Sequence, residues 1–181
     1  MKVIWNQDKY QEAWNFASHM HNGQKVPGSD IPYINHIGLV AMEATAIVAH
    51  EDIGNPNLLV VCALLHDAIE DTSATYEDIE DNFGMEIADG VLALTKNTKL
   101  PSKSERMKDS INRIKMQPRE VWMVKLCDRI TNLQPPPAHW GKVKIGAYQS
   151  EARLILEQLG EASPYLMKRL AEKISHYGKY L

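Results

Sequence analysis

Four ionisable side chains fall within six residues, at His66, Asp67, Glu70 and Asp71. They close the apolar run Leu58-Leu59-Val60-Val61-Cys62-Ala63-Leu64-Leu65, which has no polar face and reads as a helix buried all round. Charge beside a buried run is costly unless compensated, and a metal cation compensates it well. If the helix continues, His66 and Glu70 stand four apart, as do Asp67 and Asp71, so each pair stacks along one side and the two sides adjoin. The plainer reading is a solvated helix end with an acidic tail.

A first-row metal takes three or four nitrogen or oxygen ligands from different elements. His66 and Asp67 supply two, and adjacent residues point about 100° apart on a helix, so the ion must sit off the helix side between them. Asp128 is the best remaining carboxylate. It lies in the mostly apolar stretch Val124-Lys125-Leu126-Cys127-Asp128-Arg129-Ile130 and needs a partner there. Lys125 and Arg129 are the plain partners. Lys125, Asp128 and Asn132 share one helical face, which gives a cation, a carboxylate and an amide turned to one place. His36 follows Pro32-Tyr33-Ile34-Asn35 and opens an apolar helix, where a capping, core or ligand role all remain open.

The elements that must position these residues read as helices almost throughout. Helical spacing runs from Asp8 to His21, from about Asn35 to His50, and from Pro56 into the His66–Asp71 cluster. Shorter helices follow at Thr75–Phe83 and Glu86–Thr95, the first opened by a capping-box pair, Thr75 and Asp78. Ser102 and Glu105 open a basic helix to about Met116. Pro118 opens the helix that carries Asp128, and Pro135-Pro136-Pro137 stops it. Helices over Trp140–Leu159 and from Ser163 to about Tyr180 complete the chain. No stretch alternates with period two, so the fold class is all-α, a single-domain helical bundle over residues 1–181.

Composition is that of an ordinary globular protein: 181 residues, 44% hydrophobic, 24% charged, formal net charge -3. With a pI near 6.2 the chain is not basic, which argues against non-specific nucleic-acid binding and leaves room for a local basic pocket. Cys62 and Cys127 both lie in apolar segments and read as core residues rather than a disulfide. Met1 to Asn6 shows no signal-peptide core and no run approaches membrane-spanning length, so a cytoplasmic protein without membrane partners is expected.

The ordered set Pro32-Tyr33-Ile34-Asn35-His36, His66-Asp67-Ala68-Ile69-Glu70-Asp71 and Lys125-Leu126-Cys127-Asp128-Arg129-Ile130-Thr131-Asn132-Leu133 resembles the successive motifs of the HD-domain superfamily. More narrowly, it is similar to the hydrolase domain of RelA/SpoT-type enzymes and to the stand-alone small alarmone hydrolases. The resemblance covers about residues 14 to 160, ahead of a last helix at about 163–180. It implies an HD-type bundle in which His36, His66, Asp67 and Asp128 bind one divalent ion, usually manganese. Glu70 and Asp71 would be the catalytic carboxylates. Tyr33 would face sugar and phosphates, Asn132 would shape the nucleotide pocket, and Trp140, Lys144 and Tyr148 would lie near substrate. Lys25 and Lys144 stand where the family usually has arginine, which forks and stacks better than lysine.

The implied activity is metal-dependent hydrolysis of the 3′-pyrophosphate of (p)ppGpp to GDP or GTP and pyrophosphate, with Lys25, Lys99 or Lys144 offsetting phosphate charge. A phosphorylated nucleotide is the expected small-molecule partner. Two alternatives stand beside it: another HD-type phosphohydrolase acting on a nucleotide or phosphorylated dinucleotide, and a non-catalytic nucleotide-binding module. The other histidines, His19, His21, His50, His139 and His176, read as caps or surface residues. The sequence is silent on oligomeric state.

Overall fold

The computed structural model describes residues 4–181. Of the stretch Met1–Asn6, read above as lacking a signal-peptide core, the first three residues lie outside the described part. Among the described residues there are ten α-helices, two single-turn 3-10 segments and no strand; one isolated bridge joins Lys25 to Pro32. The α-helices are α1 (Gln7–Met20), α2 (Ile34–Val48), α3 (Pro56–Leu65), α4 (Ala68–Asp71), α5 (Tyr76–Phe83), α6 (Met85–Leu94), α7 (Lys103–Lys115), α8 (Arg119–Asn132), α9 (Lys142–Leu159) and α10 (Pro164–Tyr177). None of them is long and apolar enough to cross a membrane.

The helix starts follow local chemistry. Asn55 accepts a hydrogen bond from Leu58 N at 3.2 Å and Pro56 takes the first turn of α3, where its missing N–H costs nothing. Thr75 with Asp78 and Ser102 with Glu105 both close full capping boxes. Ser163 caps α10 through Leu166 N, with Pro164 next. Between α5 and α6 the chain turns at Gly84 with φ 88°, a backbone angle that a Cβ disfavours.

Helix α3 is the axis of the molecule. All of its residues except Asn57 are buried, and it packs against α1, α2, α6 and α8. An all-apolar helix needs neighbours on every side, and these four supply them. Cys62 and Cys127 are both free and buried in this core. The helices are also tied by polar pairs that fix their ends. Glu120 on α8 accepts from Asn55 N at 2.7 Å, pinning α8 to the start of α3. Arg169 on α10 forks onto the buried carboxylate of Glu43 on α2.

The apolar helix does not continue through the charged cluster: α3 ends at Leu65, His66 and Asp67 form a turn, and α4 restarts at Ala68. Asp67 sits at φ -104°, ψ 1°, outside the helical well. The stacking of His66 over Glu70 expected for one straight helix is therefore replaced by a break that reorients the two residues at the site.

Candidate active site

Three elements and one turn deliver the site. The loop before α2 is closed by hydrogen bonds from Val26 N to Ile31 O and from Tyr33 N to Gln24 O. It sets Tyr33 at the mouth of α2 and His36 in its first turn. The turn after α3 supplies His66 and Asp67, and α8 supplies Asp128. One ring nitrogen of each histidine and one Asp67 carboxylate oxygen lie within 4.8 Å of one another. His66 Nε2 is 3.0 Å from Asp67 Oδ2, and His36 Nε2 is 3.7 Å from the same oxygen. Asp128 Oδ1 stands 3.6 Å from His36 Nε2 and 3.9 Å from His66 Nε2. Nitrogen and oxygen ligands about 2.1 Å from a shared ion must lie about 3 to 4.2 Å apart, and these spacings fall in that window.

The donor set itself fits a cation. His66 Nδ1 lies 2.8 Å from the Ala63 carbonyl, to which it can only donate, so in the neutral ring the Nε2 lone pair is the free one. That Nε2 is buried and is left without a hydrogen-bond partner among the described residues, with Asp67 Oδ2 3.0 Å away. A buried orphaned nitrogen aimed at two carboxylates is the mark of a ligand position. Tyr33 Oη donates to Asp67 Oδ2 at 2.5 Å. Lys125 Nζ donates to Asp128 Oδ2 at 3.1 Å, and Asn132 Nδ2 donates to Asp128 Oδ1. The face expected from spacing, Lys125, Asp128 and Asn132, is thus assembled as read.

Electrostatics agree with the geometry. Burial alone would lower the pKa of His66, but the charges of Asp67 and Asp128 lift it to about 9. Burial lowers that of His36 against the pull of Asp128, leaving its imidazole neutral at pH 7. Asp128 would be raised by burial, yet Lys125 and His66 hold it at about 2. Asp67 is likewise held well below the usual carboxylate range, by His66 and by the Tyr33 hydroxyl against burial. The centre demands positive charge, and without a metal a proton on His66 supplies it.

A cavity of about 480 Å3 opens from this centre, a volume ordinary for a small-molecule site. Asp67, Asp128, Glu70 and Asp71 all line it. Glu70 is gripped at both oxygens: Oε2 accepts from Lys96 N at 2.9 Å and Oε1 from Lys96 Nζ at 2.6 Å. Arg113 on α7 holds that loop in place by donating to the carbonyls of Leu92, Ala93 and Thr95 at the end of α6. Asp71 is raised by burial and by the neighbouring charges of Asp67 and Glu70. Also in the lining, Lys144 Nζ lies 4.1 Å over the Trp140 ring and Arg129 Cζ lies 4.4 Å over Tyr148.

The structure brings His36, His66, Asp67, Asp128, Glu70, Asp71, Tyr33, Asn132, Lys144 and Tyr148 to one region. It does not bring Lys25 there: its ammonium pairs with Asp30 at 2.6 Å on the open surface. Lys99 is also exposed and outside the cavity lining. Besides Lys125 and Lys144, the cations Lys96, Lys103, Arg106 and Arg129 line it; the sequence offered Arg129 only as a partner for Asp128, and nothing local distinguishes the other three from surface charge. His21, read as a helix-end cap, is indeed the C-cap of α1, but its ring is buried against Tyr33 at 5.1 Å between centroids.

The HD domain family model matches residues 13–159. The chain is 30% identical over 164 residues to the guanosine-3′,5′-bis(diphosphate) 3′-pyrophosphohydrolase MESH1 of Xenopus tropicalis, covering 88% of this chain and 89% of that protein. It is 33% identical over 129 residues to a guanosine-3′,5′-bis(diphosphate) 3′-pyrophosphohydrolase of Aquifex aeolicus, covering 70% of this chain and 18% of that one. Among solved structures, one described as a metazoan ortholog of SpoT that hydrolyzes ppGpp and plays a role in starvation responses superposes with a TM-score of 0.83. It is 25% identical, with 97% of this chain and 99% of that chain covered. The matched span holds all four residues of the histidine–aspartate centre together with Glu70 and Asp71, and the chain belongs to the HD-domain family.

Proposed function

We propose that the chain hydrolyses the 3′-pyrophosphate of (p)ppGpp, with His36, His66, Asp67 and Asp128 holding one divalent ion, manganese. The observation that carries the reading is the convergence of two imidazoles and two carboxylates at 3.0–3.9 Å, with further carboxylates beside them on a nucleotide-sized cavity. The likeness to proteins named for this activity supports the choice of substrate. A divalent ion held by these four residues would supply Lewis-acid polarisation of the phosphate and lower the pKa of water.

The chain's own residues do the rest. Tyr33, Lys125 and Asn132 keep the Asp67 and Asp128 carboxylates oriented. Glu70 accepts the proton of the attacking water, and its two bonds to Lys96 fix the carboxylate for that task. Asp71, next to Glu70 on the cavity wall, carries a proton to the leaving 3′-oxygen. The 3′ P–O bond breaks, the water oxygen stays on the released pyrophosphate, and GDP or GTP leaves. Lys144, held over Trp140, and Tyr148 and Asn132 line the space for the nucleoside. The whole chain acts as one catalytic unit, and its two buried free thiols fit the reducing cytoplasm.

A substrate panel tests the assignment. The manganese-loaded protein is assayed on ppGpp, pppGpp, nucleoside triphosphates and a phosphorylated dinucleotide. Turnover at least tenfold higher on the 3′-pyrophosphorylated members is expected. Preference for another member would keep the metal chemistry and overturn the alarmone reading.

A further inference from the structure

Beside the histidine–aspartate centre, the same cavity is lined by two buried residues that keep donor atoms without a partner among the described residues. Arg129, one residue after Asp128 on α8, is 5% exposed. Its Nη2 reaches Glu151 Oε1 only at 3.5 Å, and its Nε and Nη1 have no hydrogen-bond partner. Ser110 on α7 is 2% exposed, and its Oγ also has none. Both residues line the cavity, and α7 packs on α8.

Lys96 is already answered by Glu70 at 2.6 Å and Lys125 by Asp128 at 3.1 Å. Arg129 is answered only at that long distance. A guanidinium buried with two nitrogens unpaired is costly, and a ligand with several acceptor oxygens removes the cost. Phosphate matches that demand: its oxygens take both guanidinium N–H groups and a hydroxyl at once. Stacking on Tyr148 at 4.4 Å fixes the plane of the guanidinium and lowers the entropy lost on binding.

We propose that Arg129 and Ser110 form a phosphate subsite, distinct from the metal-ligand cluster, that takes the non-reacting 5′-phosphates of a doubly phosphorylated nucleotide. The proposal rests on the nucleotide reading given above. It gives a role to a cavity lined by carboxylates, where the 3′-pyrophosphate would react, and by further cations that include Lys103 and Arg106. A substrate phosphorylated at both ends spans the two. One phosphorylated only at the 3′ position leaves Arg129 unpaired.

Two measurements test this on the full chain, with wild type, R129M, R129K and S110A each checked for folding by circular dichroism. The first is the ratio of kcat/KM for ppGpp to that for guanosine 3′-diphosphate, which lacks 5′-phosphates. The ratio is expected to fall at least tenfold in R129M through KM, about threefold in S110A, and to recover partly in R129K. An equal loss on both substrates, or an unchanged ratio, overturns the subsite. The second is calorimetric binding of GDP with and without manganese. GDP binding at least tenfold weaker in R129M, with or without the metal, is expected. If that holds while ppGpp is not cleaved, the subsite stands and the hydrolase reading falls. If GDP binds R129M and S110A as it binds wild type, the subsite is wrong whatever the turnover. Should R129M fail to fold, S110A decides, since it removes one hydroxyl.

Discussion

Tyr33→Phe separates the positioning of a metal ligand from everything else the residue does. The ring sits between His21, 5.1 Å away, and His36, 5.2 Å away, and phenylalanine keeps that packing. Only the hydroxyl is lost, and with it the 2.5 Å bond to Asp67 Oδ2. Burial, then the charge of Asp67, push the phenol pKa far above its ordinary value, so Tyr33 is a donor at every accessible pH. A hydrogen bond to a charged group contributes about 1.5–3 kcal/mol. At about 1.4 kcal/mol per decade, that is about 10- to 150-fold in affinity. The usual cost of deleting a residue that orients a metal ligand, about 10- to 100-fold, overlaps it. Manganese binding to metal-stripped protein, measured by calorimetry, should therefore weaken by at least tenfold in the variant. A melting temperature close to wild type would show that packing survived. A manganese Kd within twofold of wild type, in a folded variant, would refute the claim that Tyr33 orients Asp67.

Glu70→Gln should leave manganese affinity within threefold while lowering turnover of ppGpp by orders of magnitude; a loss under about tenfold, at most about 1.4 kcal/mol of barrier, would remove Glu70 from its assigned role. Metal-free protein should lose thermal stability as pH rises from about 6.5 through about 9, because the raised folded-state pKa of His66 stabilises only while the ring is protonated. Saturating manganese, which needs the neutral ring, should abolish that loss in melting scans at pH 6.5 and 9, while below 6.5 His36, with its lowered pKa, acts in the opposite direction. Gly90→Ala should destabilise by about 1–3 kcal/mol in urea titrations, since its Cβ would meet Cys62 Sγ at 2.9 Å and Val121 Cγ2 at 3.0 Å where α6 packs on α3 and α8. Ser104→Ala, outside the cavity lining and exposed in the first turn of α7, should change stability by less than about 0.5 kcal/mol.

What was legible beforehand was local. The capping pairs Thr75–Asp78 and Ser102–Glu105 act within four residues, and both formed as read. The run Leu58–Leu65 could only be buried, and it is. Asp128 with Lys125 and Asn132 depends on helical periodicity alone. What was not legible depends on partners distant in sequence. Nothing in Leu65-His66-Asp67-Ala68, which has neither glycine nor proline, announces the break between α3 and α4. Lys96 finds Glu70 across 26 positions, through a loop whose course is set by Arg113 on another helix. Lys25 lies outside the cavity lining, paired on the surface with Asp30 five residues on. The orphaned donors of Arg129 and Ser110 emerge only once α7 and α8 are packed.

The central claim is a metal-dependent 3′-pyrophosphohydrolase built on His36, His66, Asp67 and Asp128. Its most direct test is pyrophosphate release from ppGpp by metal-stripped protein, before and after manganese is added back, with Asp128→Asn in parallel. The account predicts release only with manganese, near-stoichiometric GDP, and little activity in the variant at any manganese concentration that saturates wild type. Pyrophosphate release that is independent of metal, or unchanged in Asp128→Asn, would contradict it.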